Sequence, residues 1–261
     1  MVQHSFQTHQ VKTSDGQTVC FDHYARGHTN VIIIAHGFFN SRKSVLLKAL
    51  GESLLDSYDV IIMDFRGHGD SPGLFYWTTK EYLDLEAVLK WSASRYSQIG
   101  VIGFSLGAAT SIITAAKTNL ITSLVSVSGP TTFERIDYRF WELDIENDIF
   151  FNLGEKGRTG KGVRLGPFWL KKERPIDLVS ELTVPIFFIH GESDWLIKPN
   201  HSRELYDHTN PNIKKRLTMI KNGPHAEYLM RESKNKKEFV ALIREWFAQT
   251  LGEKNVKEEK K

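Results

Sequence analysis

Apolar residues along this chain alternate between two patterns. Short runs are apolar at nearly every position; longer stretches carry apolar residues at three- and four-residue spacing. Val31-Ile-Ile-Ile-Ala35, Val60-Ile-Ile-Met63, Ile99-Gly-Val-Ile102, Leu124 to Val127 and Pro185-Ile-Phe-Phe-Ile189 are of the first kind. They predict strands covered on both faces, as parallel strands are. Val19 to Tyr24 and Arg216 to Ile220 predict two more. Arg42 to Leu55, with Val45, Leu46, Ala49, Leu50 and Leu54 on one side, predicts a helix. So do Thr79 to Tyr96, Ser105 to about Thr118, Asn200 to Asp207 and Lys236 to Leu251. This alternation predicts an α/β fold, a doubly wound and mostly parallel sheet with helices on both faces. Right-handed crossovers bring the C-terminal ends of the strands to one edge, where open α/β sheets bind ligands. The residues directly after each strand are therefore the candidates for chemistry.

One stretch breaks the rhythm. From Pro130 to Glu181 no clean strand pattern appears. Its first part is acidic and aromatic, with Glu134, Asp137, Glu142, Asp144, Glu146 and Asp148 among Tyr138, Phe140, Trp141, Phe150 and Phe151. Its second part is basic and glycine-rich. A structureless loop of this length is uncommon, so a small insertion with one or two helices is expected. It follows a strand's C-terminal end, where it would act as a lid; the plainer reading is an insertion packed to one side. The expected organisation is a single domain over 1–251, a cap at about 130–181 and a flexible charged tail at 252–261.

Composition narrows the class. With 261 residues, 41% hydrophobic and 25% charged, the chain can bury a sizeable core and is neither disordered nor fibrous. Lys+Arg 34 against Asp+Glu 31 is too even to predict nucleic-acid or membrane-surface binding. No apolar run approaches the length of a membrane span, and the polar stretch Met1 to Gln10 carries no signal core. A single cysteine, Cys20, excludes an intramolecular disulfide framework. A cytoplasmic monomer or homodimer acting on a small molecule is the expectation.

The strongest chemical signal is Gly103-Phe104-Ser105-Leu106-Gly107, after a predicted strand and opening a predicted helix. A sharp strand-to-helix turn of this kind exposes the serine hydroxyl above the sheet edge, beside unpaired helix N–H groups. The bland alternative is a serine N-cap after a glycine turn. Serine needs a base to become a nucleophile. Among 10 histidines, His225 is singled out by place: Asn222-Gly-Pro-His-Ala226 lies between the last predicted strand and the last helix. The acid that would orient it is Asp194, in His190-Gly-Glu-Ser-Asp194 after the strand Pro185 to Ile189, with Glu192 as the nearest competitor. His36-Gly37-Phe38-Phe39 follows the strand Val31 to Ala35 and offers the Phe38 amide as an oxyanion donor, with the Leu106 amide as the second. His36 itself reads as a brace for that loop. Phe39, Phe104, Trp141 and Trp169 are candidate walls of an acyl pocket, and equally candidates for core.

These motifs, spread from His36 to His225, together resemble the serine α/β-hydrolase fold. The similarity is to bacterial carboxylesterases and to monoglyceride-lipase and serine-aminopeptidase-like hydrolases. The order Ser105, Asp194, His225 is the order such enzymes use. Asp64-Phe-Arg-Gly-His-Gly-Asp-Ser71 is similar to a structural loop of the family, in which Arg66 would tie loops together. The resemblance implies a serine esterase working through an acyl-enzyme, without metal or cofactor, on short-to-medium acyl or aryl (feruloyl-type) esters. It leaves open a peptidase, amidase or thioesterase on the same triad, and a non-catalytic binding module. Aspartate-nucleophile relatives do not fit, because the centre of the turn is Ser105.

Overall fold

The computed structural model describes residues 5–133, 163–167 and 169–252. Among them the strands are β1 Gln7–Lys12, β2 Thr18–Tyr24, β3 Asn30–Ala35, β4 Asp59–Met63, β5 Gln98–Phe104, β6 Ser123–Val127, β7 Ile186–Gly191 and β8 Lys215–Ile220. The helices are α1 Val45–Leu54, α2 Glu81–Ala93, α3 Leu106–Lys117, a single turn α4 Pro175–Leu178, α5 Asn200–His208 and α6 Ser233–Thr250. Short 3₁₀ turns cover Val179–Glu181 and Ala226–Met230.

The strands form one sheet in the order β1-β2-β4-β3-β5-β6-β7-β8. From β4 to β8 every pairing is parallel, with β3 seated between β4 and β5. β1 and β2 join antiparallel at one end. β1 was not anticipated. Its sequence, QTHQVK, is polar and mostly exposed, so no hydrophobic alternation announces it; pairing with β2 makes it a strand.

The runs apolar at every position are the strands buried on both faces. Ile32, Ile34, Val60, Ile62, Ile102, Val125, Phe187 and Ile189 point to one side, against Leu47, Leu50 and Leu54 of α1 and Phe239, Ile243, Trp246 and Phe247 of α6. Their neighbours Val31, Ile33, Ile61, Met63, Val101, Leu124, Ile186 and Phe188 point to the other, against Leu85, Val88 and Leu89 of α2, Ile112 of α3 and Leu205 of α5. Each strand thus feeds two cores, which removes register freedom.

Most of the expected cap, residues 134–162 with Trp141 and the acidic run, lies outside the described residues, as do Phe168 and 253–261. What is described at its edges joins the main body. Val163 bridges to His68 and Leu165 to Phe75. Val179 and Leu182 are buried in the same core as α2 and α3, so the end of the expected insertion packs as part of the sheet's helical layer.

The Asp64–Ser71 loop is held by buried ion pairs. The Arg66 guanidinium, 2% exposed, meets Asp84 Oδ1 at 2.7 Å and Asp15 Oδ2 at 2.7 Å. Asp84 also accepts from the Arg66 N–H at 2.8 Å. Arg66 therefore joins the loop after β4 to α2 and to the β1–β2 turn. Removing it strands the fully buried Asp84 carboxylate, a loss on the order of 3–5 kcal/mol. Arg66→Met should lower Tm by roughly 6–15 °C at neutral pH; a thermal melt within ~2 °C of wild type would show that the pair does not hold the loop.

Candidate active site at the strand ends

Ser105 stands between β5 and α3 with φ +50° and ψ −111°. A non-glycine residue in this region carries strain of order 1–3 kcal/mol, sustained only if its surroundings over-determine it. They do. The Ser105 N–H donates to Val127 O at 2.8 Å, and its carbonyl accepts from Ala108 N and Ala109 N, both at 3.1 Å. The two flanking glycines explain the motif spacing. A Cβ on Gly107 would stand 2.2 Å from Ala35 O, and one on Gly103 would stand 2.5 Å from Gly107 O. Only bare backbone lets α3 start this close to the ends of β3 and β5. Leu106 opens α3, so its N–H has no partner within the helix.

Asp194 and His225 arrive from the ends of β7 and β8, with β6 between them and the serine's strand β5. The turn after β7 places Asp194 at 3% exposure, where Oδ1 accepts from Leu196 N at 3.1 Å and Ile197 N at 2.9 Å. Its Oδ2 faces His225 Nδ1 at 2.7 Å and His190 Nε2 at 3.2 Å. His190 Nε2 also faces Ile197 O at 2.8 Å, which makes that nitrogen the donor, and its Nδ1 lies 2.7 Å from Ser202 Oγ. The His225 Nδ1–H donates to the carboxylate, so its Nε2 is left with a free lone pair, the tautomer a base needs. The two turns touch at bare backbone: a Cβ on Gly191 would lie 2.2 Å from Gly223 O and 2.3 Å from Pro224 O. Ser128, at the end of β6, accepts from Ala226 N at 3.1 Å and donates its own N–H to Ile189 O at 2.9 Å. The end of β6 thus fastens the Ser105, Asp194 and His225 turns to one another.

Electrostatics follow from burial and pairing. Burial opposes ionisation of Asp194, but the charge of His225 and hydrogen bonds from both histidines hold its carboxyl well below the usual carboxylate range. Burial likewise disfavours a charged His225, yet Asp194, with Glu227 behind it, raises its pKa above the ordinary 6.5. Desolvation keeps fully buried His36 neutral; its Nε2 accepts from Phe65 N at 3.1 Å and its Nδ1 faces Gly37 O at 2.7 Å, so it braces the loop. Among the described residues no cluster of His, Cys, Asp and Glu is arranged to hold a metal ion, and no helix is long and apolar enough to cross a membrane.

Gly37 lies against the serine turn: a Cβ there would stand 3.3 Å from Ser105 Cβ. The Gly37–Phe38 peptide therefore runs beside the serine. Phe38 and Phe39, ring centroids 4.0 Å apart, join Phe75, Trp77, Leu106, Ala109, Phe133 and Val163 in one apolar cluster. Phe75 and Trp77 were missed from sequence because they sit in a loop with no periodic pattern. Phe104, a candidate pocket wall, is instead fully buried in the core with α1 and α6, 6.2 Å from Phe239. Trp169 is 73% exposed. Glu192, the competing acid, is exposed.

A nucleophile-type turn in the parallel part of the sheet, with an Asp–His pair at the ends of β7 and β8 on the same edge, marks an enzyme of the hydrolase type. A profile of the alpha/beta hydrolase fold matches residues 30–165, and the chain belongs to that family. An esterase of Pyrococcus furiosus is 25% identical, with TM-score 0.74 over 95% of this chain and 92% of that one. Est1E of Butyrivibrio proteoclasticus, solved with ferulic acid bound, is 18% identical with TM-score 0.67 over 92% and 98%. A Xanthomonas campestris serine hydrolase described as having no lid is 14% identical, TM-score 0.63, over 95% and 96%.

Gly191→Ala should push the Gly223–His225 segment off Asp194. The expected results are a destabilisation of about 1–3 kcal/mol and loss of the downfield imidazole N–H proton signal of His225, read by NMR. An unshifted proton signal in the variant would show that the two turns do not depend on this contact.

Proposed function

We propose that this protein is a serine carboxylesterase that works through an acyl-enzyme. The observation that carries the reading is the 2.7 Å His225–Asp194 bond at the ends of β7 and β8, on the same sheet edge as a strained, half-buried Ser105. Ser105 Oγ attacks the acyl carbonyl while His225 Nε2 takes its proton. Asp194 holds the imidazole in the required tautomer and stabilises the imidazolium. The carbonyl oxygen, now an anion, accepts from the backbone N–H groups of Phe38 and Leu106. His225 returns the proton to the leaving alcohol. It then activates water, which releases the acid and restores Ser105.

The aromatic cluster of Phe38, Phe39, Phe75 and Trp77 adjoins both proposed oxyanion donors through Phe38 and Leu106. It supports an apolar or aryl acyl group, and the ferulic acid bound by Est1E is consistent with an aryl acid in this fold. Rings stacked on such a wall contribute on the order of 0.5–1.5 kcal/mol beyond simple burial. Cinnamate esters should therefore exceed alkyl esters of similar size in kcat/KM.

Ser105→Ala should lose at least ~10³-fold in kcat on p-nitrophenyl butyrate with Tm preserved. Undiminished turnover would remove the serine from the chemistry. The sign of the pH dependence follows from His225. The base must be neutral, so kcat/KM should fall as pH drops through a pKa lying above 6.5. An acid limb at or below the free-histidine value would contradict the pairing with Asp194. Equal kcat/KM for cinnamate and alkyl esters would dismiss the aryl preference.

A further inference from the structure

Two residues beyond His225, a second carboxylate is folded into the site. Glu227 is 8% exposed, and its Oε1 accepts from Asn40 Nδ2 at 2.6 Å. Asn40 closes the turn that carries the Phe38 amide: its N–H donates to Gly37 O at 3.3 Å, and its Oδ1 accepts from Ser41 N at 2.9 Å. The other oxygen of Glu227, Oε2, lies 3.8 Å from the point where a Cβ on Gly37 would stand, the same point that lies 3.3 Å from Ser105 Cβ. The carboxylate therefore sits between the histidine segment and the Gly37–Asn40 turn. A buried acid is costly unless bonded, and at this one the bond runs to the loop expected to hold the oxyanion.

We propose that Glu227 is a positioning residue for the reaction: through Asn40 its carboxylate locks the Gly37–Asn40 turn against Ser105, and its fixed negative charge steadies the His225 imidazolium. The inference rests on the Ser105–His225–Asp194 reading above. It explains a coupling that reading leaves unaccounted for. Base and oxyanion donor come from strand ends far apart in sequence, and the reaction needs both aligned within fractions of an ångström. The Asn40–Glu227 bond is a direct side-chain link between those two segments, spanning 187 residues of chain.

The charge acts in a known direction. The charged groups that influence His225 are Asp194 from the turn after β7 and Glu227 from its own segment; His190 stands on the far side of Asp194, 3.2 Å from the shared Oδ2. The neutral Ser128 hydroxyl is taken up by the N–H of Ala226, the residue after His225. A negative Glu227 favours the protonated imidazole, so neutralising it lowers the His225 pKa. The same charge repels a developing oxyanion, which is why its engagement by Asn40 matters: the amide directs the carboxylate into the turn.

The test uses the full chain, p-nitrophenyl butyrate and pH profiles across about pH 5–9. Glu227→Gln keeps an acceptor for Asn40 and removes the charge. Its acid limb in kcat/KM should move to lower pH by roughly half a unit, with kcat on the plateau within about threefold of wild type. Glu227→Ala and Asn40→Ala remove the lock; each should lower kcat on the order of 10²-fold with KM little changed. Their double variant should be no worse than the weaker single one, because both break one contact. A Glu227→Gln profile superimposable on wild type, or losses that multiply in the double variant, overturns the proposal. Thermal melts separate these results from unfolding, and the isosteric Gln variant keeps the test valid if the Ala variants are unstable. Ser105→Ala, run alongside, separates the two levels. If it stays active, the underlying reading falls and this one with it. If it is inactive while Glu227→Gln titrates as wild type, only the role of Glu227 falls.

Discussion

The structure depends on one close approach, the first turn of α3 set directly onto the ends of β3 and β5. The backbone at Gly107 passes so near Ala35 O that no side chain fits, and Gly103 meets the same turn from the other side. This contact forces Ser105 into positive φ, and the Val127 carbonyl holds it there. It also brings Gly37 against Ser105 and so places the Phe38 peptide beside the serine. Loosening α3 by the width of one methyl group would shift the serine, its neighbouring N–H groups and the His36–Asn40 loop together.

Strain in this chain is concentrated where the sheet ends. Phe39, Trp77, Thr78, Ser105, Ser128, Asn222 and Ala226 all have positive φ without being glycine. Most belong to the turns around the site: the loop after β3, the aromatic loop before α2, the serine turn, the end of β6 and the histidine segment. Each costs stability locally, and each is tolerated because the two-sided core beneath it is rigid. Ser128 shows the gain, since its hydroxyl holds Ala226 while its N–H holds β7.

Buried charge is handled by pairing. Arg42 meets Asp22, Asp64 and Asp70, and Arg66 meets Asp15 and Asp84. These pairs lace the loop after β4 to the strands beside it, near His36, which in turn supports the loop after β3. Where pairing is incomplete, burial dominates: Glu81, with one oxygen on Tyr76 N and the other unpartnered, has its pKa pushed up to about 7. Near neutral pH it is thus divided between its protonated and ionised forms.

The alternation of two-sided apolar runs with amphipathic stretches determined the α/β architecture, because a strand buried on both faces leaves no other pattern. The turn residues Gly103, Ser105 and Gly107 were legible for the same reason: close packing there tolerates only hydrogen at two positions. Asp194 and His225 could be nominated by place, since strand ends of a parallel sheet converge on one edge. Polar β1 was invisible, because its identity as a strand lies in its partner β2 and not in its own residues. Phe104 read equally as pocket wall or core in the sequence, because composition does not say which face a side chain takes; its burial among α1 and α6 side chains is seen only in the fold. Glu227 carries no periodic signal, and its bond to Asn40, 187 residues away in the chain, exists only once the loops after β3 and β8 meet over the sheet edge. Local sequence thus determined most of the elements and nominated the candidate groups at the strand ends. Tertiary structure alone decided which faced one another, because a side chain's direction and its distant partners are properties of packing and not of chain order.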